Sequence, residues 1–133
     1  MDGVATDTHA LIWYFLDQER LSEEALSAFD QAGLAGNLIY ISAISIVEMC
    51  YLVEKRKIPT VALDRLHAEL GATDPLITVV PLDDEIAWVM RQIPRDHVPE
   101  MPDRIIAATA LYLDLPLVTR DLQIRTAPIR TIW

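Results

Sequence analysis

Four short apolar runs punctuate the chain: Val4-Ala5-Thr6, Leu38-Ile39-Tyr40-Ile41, Ile77-Thr78-Val79-Val80 and Leu117-Val118-Thr119. They are β-prone and continuous rather than alternating, as strands buried on both faces should be. Helix signals fill the stretches between them. Thr8 to Leu16 follows the first run, with Asp7 or Thr8 as its cap. Ser22-Glu23-Glu24 opens a second helix that runs to about Ala32, before Gly33. Ser42 or Ser45 opens a long helix that closes in Lys55-Arg56-Lys57 and is stopped by Pro59. Val61 to Leu70 is helical and ends at Gly71. Asp83-Asp84-Glu85 starts a further helix, with acids at its positive end. Pro94 to Pro102 reads as an irregular loop, and Asp103 opens the helix Arg104 to Leu113. Ile129 to Trp133 fits a fifth strand, at an edge. Strand and helix alternate almost throughout, which predicts an α/β fold with a mainly parallel sheet covered on both faces.

At 133 residues the chain is sized for one domain, residues 1–133. Hydrophobic residues make up 52%, which excludes a disordered chain and predicts a large core or a buried partner surface. Lys+Arg 11 against Asp+Glu 20 leaves a net charge of −9, so coating of nucleic acid by a basic surface is not expected. Contact with nucleic acid needs a local basic patch or bound cations. Cys50 is the only cysteine, so no intrachain disulfide forms and a cytoplasmic protein is expected. No stretch reaches the roughly 18 consecutive apolar residues of a membrane helix. The opening Met1-Asp2-Gly3-Val4 lacks the basic lead-in of a signal peptide. With only 4 glycines, neither a GxGxxG turn nor a P-loop is present.

In parallel sheets the functional crevice lies beyond the carboxyl ends of the strands. Asp7 follows the first strand and Asp121 the fourth; Asp103 heads the helix before the fourth; Glu48 sits one to two turns into the helix after the second. These acids converge on one edge of a small sheet. No histidine or cysteine pairs with them, so the set does not suit zinc. An all-oxygen set suits Mg²⁺ or Mn²⁺. Such ions generate a nucleophile from water and neutralise phosphate charge, the logic of phosphodiester hydrolysis.

Each acid also has a plainer reading. Asp7 and Asp103 fit simple N-caps, and Asp121 fits a turn. Ser45-Ile46-Val47-Glu48 fits a capping box. The neighbours of Glu48 leave its helix apolar nearly all round, however, which predicts a buried helix and a costly carboxylate within it. His9, His67 and His97 form no ligand pair and suit surface or packing roles. Asp83-Asp84 suits helix capping, Trp13, Tyr14 and Phe15 suit packing or else a partner surface, and Cys50 suits the core.

Asp7-Thr8-His9-Ala10-Leu11-Ile12-Trp13 resembles the opening motif of PIN-domain proteins, specifically the VapC-type toxins of bacterial toxin–antitoxin pairs. Ser45-Ile46-Val47-Glu48 resembles their second motif, Asp103-Arg104-Ile105-Ile106-Ala107-Ala108-Thr109-Ala110 the third, and Leu117-Val118-Thr119-Arg120-Asp121 the fourth. The terminal Ile132-Trp133 also fits, so the resemblance spans essentially the whole chain. It implies a three-layer α/β/α sandwich and a metal-dependent endoribonuclease. It also implies a homodimer held inactive by a small antitoxin. By position, Asp7, Glu48, Asp103 and Asp121 match the acidic quartet that holds Mg²⁺ or Mn²⁺, and Thr119 matches a supporting hydroxyl. One departure stands out. Many relatives place an aspartate followed by proline three residues before the third acid. Here Glu100 and Met101 occupy those places, with Pro102 directly before Asp103.

The same resemblance frames the remaining cations. Arg104 and Arg120 each adjoin a quartet acid and suit either a phosphate contact or a surface salt bridge. Lys55-Arg56-Lys57 suits either guidance of RNA or a plain helix C-terminus. Two other function classes remain open at this point: a metal-dependent DNA nuclease or phosphatase of the same fold, and a catalytically silent nucleic-acid-binding module.

Overall fold

The computed structural model describes residues 2–133. Its strands are β1 (Gly3–Thr6), β2 (Leu38–Ser42), β3 (Ile77–Val80), β4 (Leu117–Val118) and β5 (Thr131–Ile132). Its α-helices are α1 (Thr8–Leu16), α2 (Glu23–Leu34), α3 (Ala43–Glu54), α4 (Val61–Leu70), α5 (Asp84–Val89) and α6 (Met101–Leu113). The strands form one sheet in the order β3-β2-β1-β4-β5, parallel at every pairing. The register pairs Val4 with Ile39, Thr6 with Ile41, and Ala5 with Leu117.

Side chains alternate across the sheet and divide the core in two. Val4, Ile39, Ile41, Ile77 and Val118 pack with Leu11, Phe15, Phe29, Met49 and Leu66 of α1 to α4. Ala5 and Leu117 point the other way, onto Ile86 of α5 and Ile106, Ala107 and Ala110 of α6. The result is the expected three-layer α/β/α sandwich. The chain leaves β1 for β2 and β3 on one side, then returns to place β4 and β5 on the other. The topological switch point therefore lies between the carboxyl ends of β1 and β4, where a crevice opens.

Several boundaries differ from the sequence expectation, each for a local reason. Helix α6 begins at Met101, with Glu100 as its N-cap and Pro102 in the first turn. Proline has no amide hydrogen to lose there, so Pro102 starts the helix rather than ending the loop. Asp103 thus lies within the first turn and does not cap it. Ser42 caps α3 by accepting from the Ile44 amide at 3.2 Å. Ser45 consequently sits inside the helix, and no capping box forms with Glu48.

Helix α3 is not buried all round either: only Ser45 and Met49 are fully enclosed, while Val47 is 47% and Tyr51 59% exposed. It packs against α1, α4 and α6 and leaves its outer face uncovered. Glu48 and Cys50 are accordingly half-buried rather than core residues. Strand β4 ends at Val118, yet the Thr119 amide still donates to the Ile132 carbonyl at 3.1 Å. The ladder thus carries Thr119 to the sheet edge facing the crevice.

Candidate active site

The crevice holds a cleft of about 490 Å³. Asp7, Glu48, Glu100, Asp103 and Asp121 line it, so the structure brings all four sequence-predicted acids together and adds Glu100. Thr8, His9, Trp13, Pro102 and Arg120 complete its wall.

Asp7 is both a helix cap and a cleft residue. Its Oδ1 accepts from the Ala10 amide at 2.8 Å, capping α1, and its Oδ2 accepts from Thr119 Oγ1 at 2.5 Å. Its own amide donates to the Val118 carbonyl at 3.1 Å. One buried residue therefore pins β1, β4 and α1 together. Thr119 Oγ1 in turn accepts from the Asp121 amide at 3.1 Å. Asp121 is likewise a turn residue with a second face: Oδ1 accepts from the amides of Gln123 and Ile124 at 2.8 and 3.1 Å, while no hydrogen bond among the described residues engages Oδ2.

Glu48 is oriented from across the cleft. Thr8 Oγ1 donates to Glu48 Oε1 at 2.5 Å and lies 2.9 Å from Ser45 Oγ. A hydroxyl carries one hydrogen, so Ser45 donates to Thr8 when Thr8 donates to Glu48. This relay ties α1 to α3. Thr8 and Ser45 were missed as site residues. The readable signal for Ser45 was its position three residues before Glu48, on the same helix face.

Burial and mutual repulsion leave a mark on the acids. The Asp103 carboxyl is pushed from the ordinary 3.8 to about 7, first by burial and then by the charges of Asp121, Glu48, Asp7 and Glu100. Burial also pushes Asp7 up, against the hydrogen bonds from Thr119 and Ala10 and the nearby His9. Among the described residues the only ion pair, Arg130 with Asp114 at 3.3 Å, is exposed and lies off the cleft. The cleft acids are thus crowded without a paired cation.

The basic residues divide differently from expectation. Arg104 faces neither phosphate nor carboxylate: its guanidinium donates to the carbonyls of Met90 and Ile93 at 2.9 and 3.0 Å, tying down the start of the Pro94–Pro102 loop. Arg120 forms no salt bridge among the described residues and stays exposed on the cleft wall, 5.8 Å from the Trp13 ring centroid. Arg56 and Lys57 line a separate hollow with Pro59 and Thr60.

The PIN-domain family model matches residues 4–129 of the chain. The chain belongs to the PIN-domain family. This PIN domain is 28% identical, over an alignment of 137 residues spanning 100% of both proteins, to a protein named Ribonuclease VapC22 from Mycobacterium tuberculosis (strain ATCC 25618 / H37Rv). Its fold is similar to that in the crystal structure of VapBC2 from Rickettsia felis bound to a DNA fragment from their promoter. That match has a TM-score of 0.71 at 16% identity and covers 98% of this chain and 97% of the other. FitAcB from Neisseria gonorrhoeae gives a TM-score of 0.65 at 24% identity, covering 96% and 95%. FitAB bound to the IR36 DNA fragment gives 0.66 at 25% identity, covering 96% and 92%.

Proposed function

We propose that this PIN domain is a metal-dependent endoribonuclease acting as the toxin of a toxin–antitoxin pair. The observation that carries the reading is the convergence of Asp7, Glu48, Asp103 and Asp121 from different elements on one cleft without a paired cation. The likeness to a protein named as a ribonuclease supports it.

The donor set fits Mg²⁺ or Mn²⁺. Every cleft acid offers oxygen alone, and Asp121 Oδ2 is uncommitted among the described residues. Among the described residues no three His, Cys, Asp or Glu side chains lie close enough to ligate one ion together, so a cation here would be held by one or two carboxylates directly and by the others through water, as Mg²⁺ commonly is. When bound, a divalent cation supplies Lewis acidity to a scissile phosphate and lowers the pKa of nearby water.

The chain's own residues do the remaining work. Thr119 and the Ala10 amide hold the Asp7 carboxylate in one orientation, and Thr8 does the same for Glu48. Partners of this kind typically change metal affinity or activity by about 10- to 100-fold. Burial and the neighbouring acids hold the Asp103 carboxyl high, at about 7, so a bound cation would relieve the cost of its charged form. Arg120 is the exposed cation placed to meet a phosphate at the rim. Exposed Val47 and Tyr51 on α3 and Trp88 on α5 offer apolar surface for a second copy of the chain and for an antitoxin. The single free cysteine fits work in the cytoplasm.

The test is cleavage of labelled tRNA, mRNA and single-stranded DNA with Mg²⁺, and again in excess chelator. RNA should be cut to products bearing 5′ phosphates, and chelator should abolish cutting. Equal cleavage in chelator, by a preparation free of contaminating ribonuclease, overturns the metal mechanism; cleavage of DNA alone overturns the ribonuclease reading.

A further inference from the structure

We propose that His9, Trp13 and Arg120 form a nucleobase subsite, where a base flanking the scissile phosphate stacks on Trp13 while Arg120 engages the phosphate. The proposal rests on the ribonuclease reading and deepens it. The cleft has two chemically different walls. One is acidic; the other is built from α1 and the residue after Thr119, and it is aromatic and cationic. His9 and Trp13 lie one turn apart on the same face of α1, with ring centroids 6.0 Å apart. Trp133 meets Trp13 edge-on at 5.9 Å and 64°, which fixes the indole in place. Trp13 nonetheless stays half-exposed at the cleft, and His9 is exposed beside it.

Two guanidinium groups stand over the indole, Arg20 at 5.2 Å and Arg120 at 5.8 Å from its centroid. Neither has a carboxylate within ion-pair distance among the described residues. Aromatic rings beside unpaired cations are what single-stranded nucleic acid requires: a π-face for the base and positive charge for the backbone. A chain of net charge −9, with an acid-lined cleft, repels phosphate, so beyond any bound cation the attraction has to come from a local wall of this kind. Arg120 is an exposed side chain and free to turn. In the free protein it covers Trp13; with RNA bound, the base takes the ring and the guanidinium turns to the phosphate. His9 and Trp13 line the same cleft as Asp7, so the shelf adjoins the acids that would face the scissile phosphate. The unpaired cations favour RNA over an apolar protein segment as the occupant.

The experiment pairs two readouts on the full chain. Tryptophan emission is followed while adding a cleavage-resistant 2′-O-methyl RNA. Steady-state cleavage is measured on an RNA whose cut site has been mapped and on the same RNA made abasic beside that site. The emission of wild type should be quenched, and Trp13→Leu should lose the change. Trp13→Leu should raise KM about tenfold on intact RNA with a much smaller change in kcat, and Trp13→Phe should recover most of it. On wild type, the abasic RNA should show the same roughly tenfold rise, which Trp13→Leu does not worsen. The abasic comparison needs no variant and stands if Trp13→Leu does not fold. A KM within about twofold of wild type for Trp13→Leu, or an equal loss on intact and abasic RNA, overturns the subsite while leaving the ribonuclease reading intact. If wild type cuts no RNA, the ribonuclease reading falls; Trp13-dependent quenching then still supports the subsite, and its absence overturns it. Quenching by a protein partner but not by RNA assigns the shelf to protein contact and overturns the proposal.

Discussion

Asp7 shows why capping and function are not competing explanations. Its two oxygens answer to different elements, Oδ1 to the Ala10 amide and Oδ2 to Thr119. Asp7→Asn keeps an oxygen for the cap and removes a charge that burial already penalises. Melting of the metal-free variant should therefore stay within about 1 kcal/mol of wild type or exceed it, while RNA cleavage falls by more than about 100-fold and the Mg²⁺-induced rise in Tm shrinks. An unchanged Mg²⁺-induced rise removes Asp7 from the metal site. Thr8→Val should cost about 1 kcal/mol through the lost relay to Ser45 and Glu48 and lower cleavage about 10- to 100-fold, read by the same melts and by initial rates. Asp7 and Asp121 were readable from the sequence because a position after a strand fixes where a side chain sits in a parallel sheet, and Glu48 and Asp103 because they stand in the first turns of helices that flank those strand ends. Thr8 was not, because its partner Glu48 is 40 residues away and a hydroxyl announces nothing until the fold brings the two together.

Local chemistry explains which elements the sequence located well. Asp83 accepts from the Ile86 amide at 3.0 Å and caps α5, as its acid-rich start suggested. Unlike Asp7, it does not line the cleft. Asp83→Ala should thus lower stability by about 1 kcal/mol in denaturant unfolding and leave the cleavage rate unchanged, which separates a pure cap from a cap at the site. The four main strands were readable because doubly buried strands leave uninterrupted apolar runs. The start of α6 was not: Pro102 marks a helix start as well as a loop, and only the observed Met101 start chooses between them. The exposure of α3 was hidden for a different reason. An apolar run predicts burial without saying which face is enclosed, and in this fold Val47 and Tyr51 are left exposed.

Charge ties the cleft to the stability of the entire protein. In the unfolded chain the Asp103 carboxyl has its ordinary value of 3.8, and in the fold it is raised to about 7; Asp7 moves in the same direction. Between those values the folded state holds protons that the unfolded state has released. Stability falls with rising pH wherever the folded state binds more protons. Chelator-treated protein should therefore lose stability as pH rises from about 5 to about 7, a window in which unperturbed carboxylates have already titrated. Above the raised value the loss levels off. A divalent cation in the cleft favours the charged carboxylates, so saturating Mg²⁺ should flatten the decline, and the Mg²⁺-induced gain in Tm should grow across the same window. Asp103→Asn carries no titrating group at this position and should show the weakest pH dependence without metal. Thermal melts of wild type and Asp103→Asn at half-unit pH steps, with chelator and with Mg²⁺, read all of these together. A metal-free Tm that climbs between about pH 5 and about pH 7 in wild type means that the folded cleft holds no extra protons there, and an equal slope in both proteins removes Asp103 as the source of the decline.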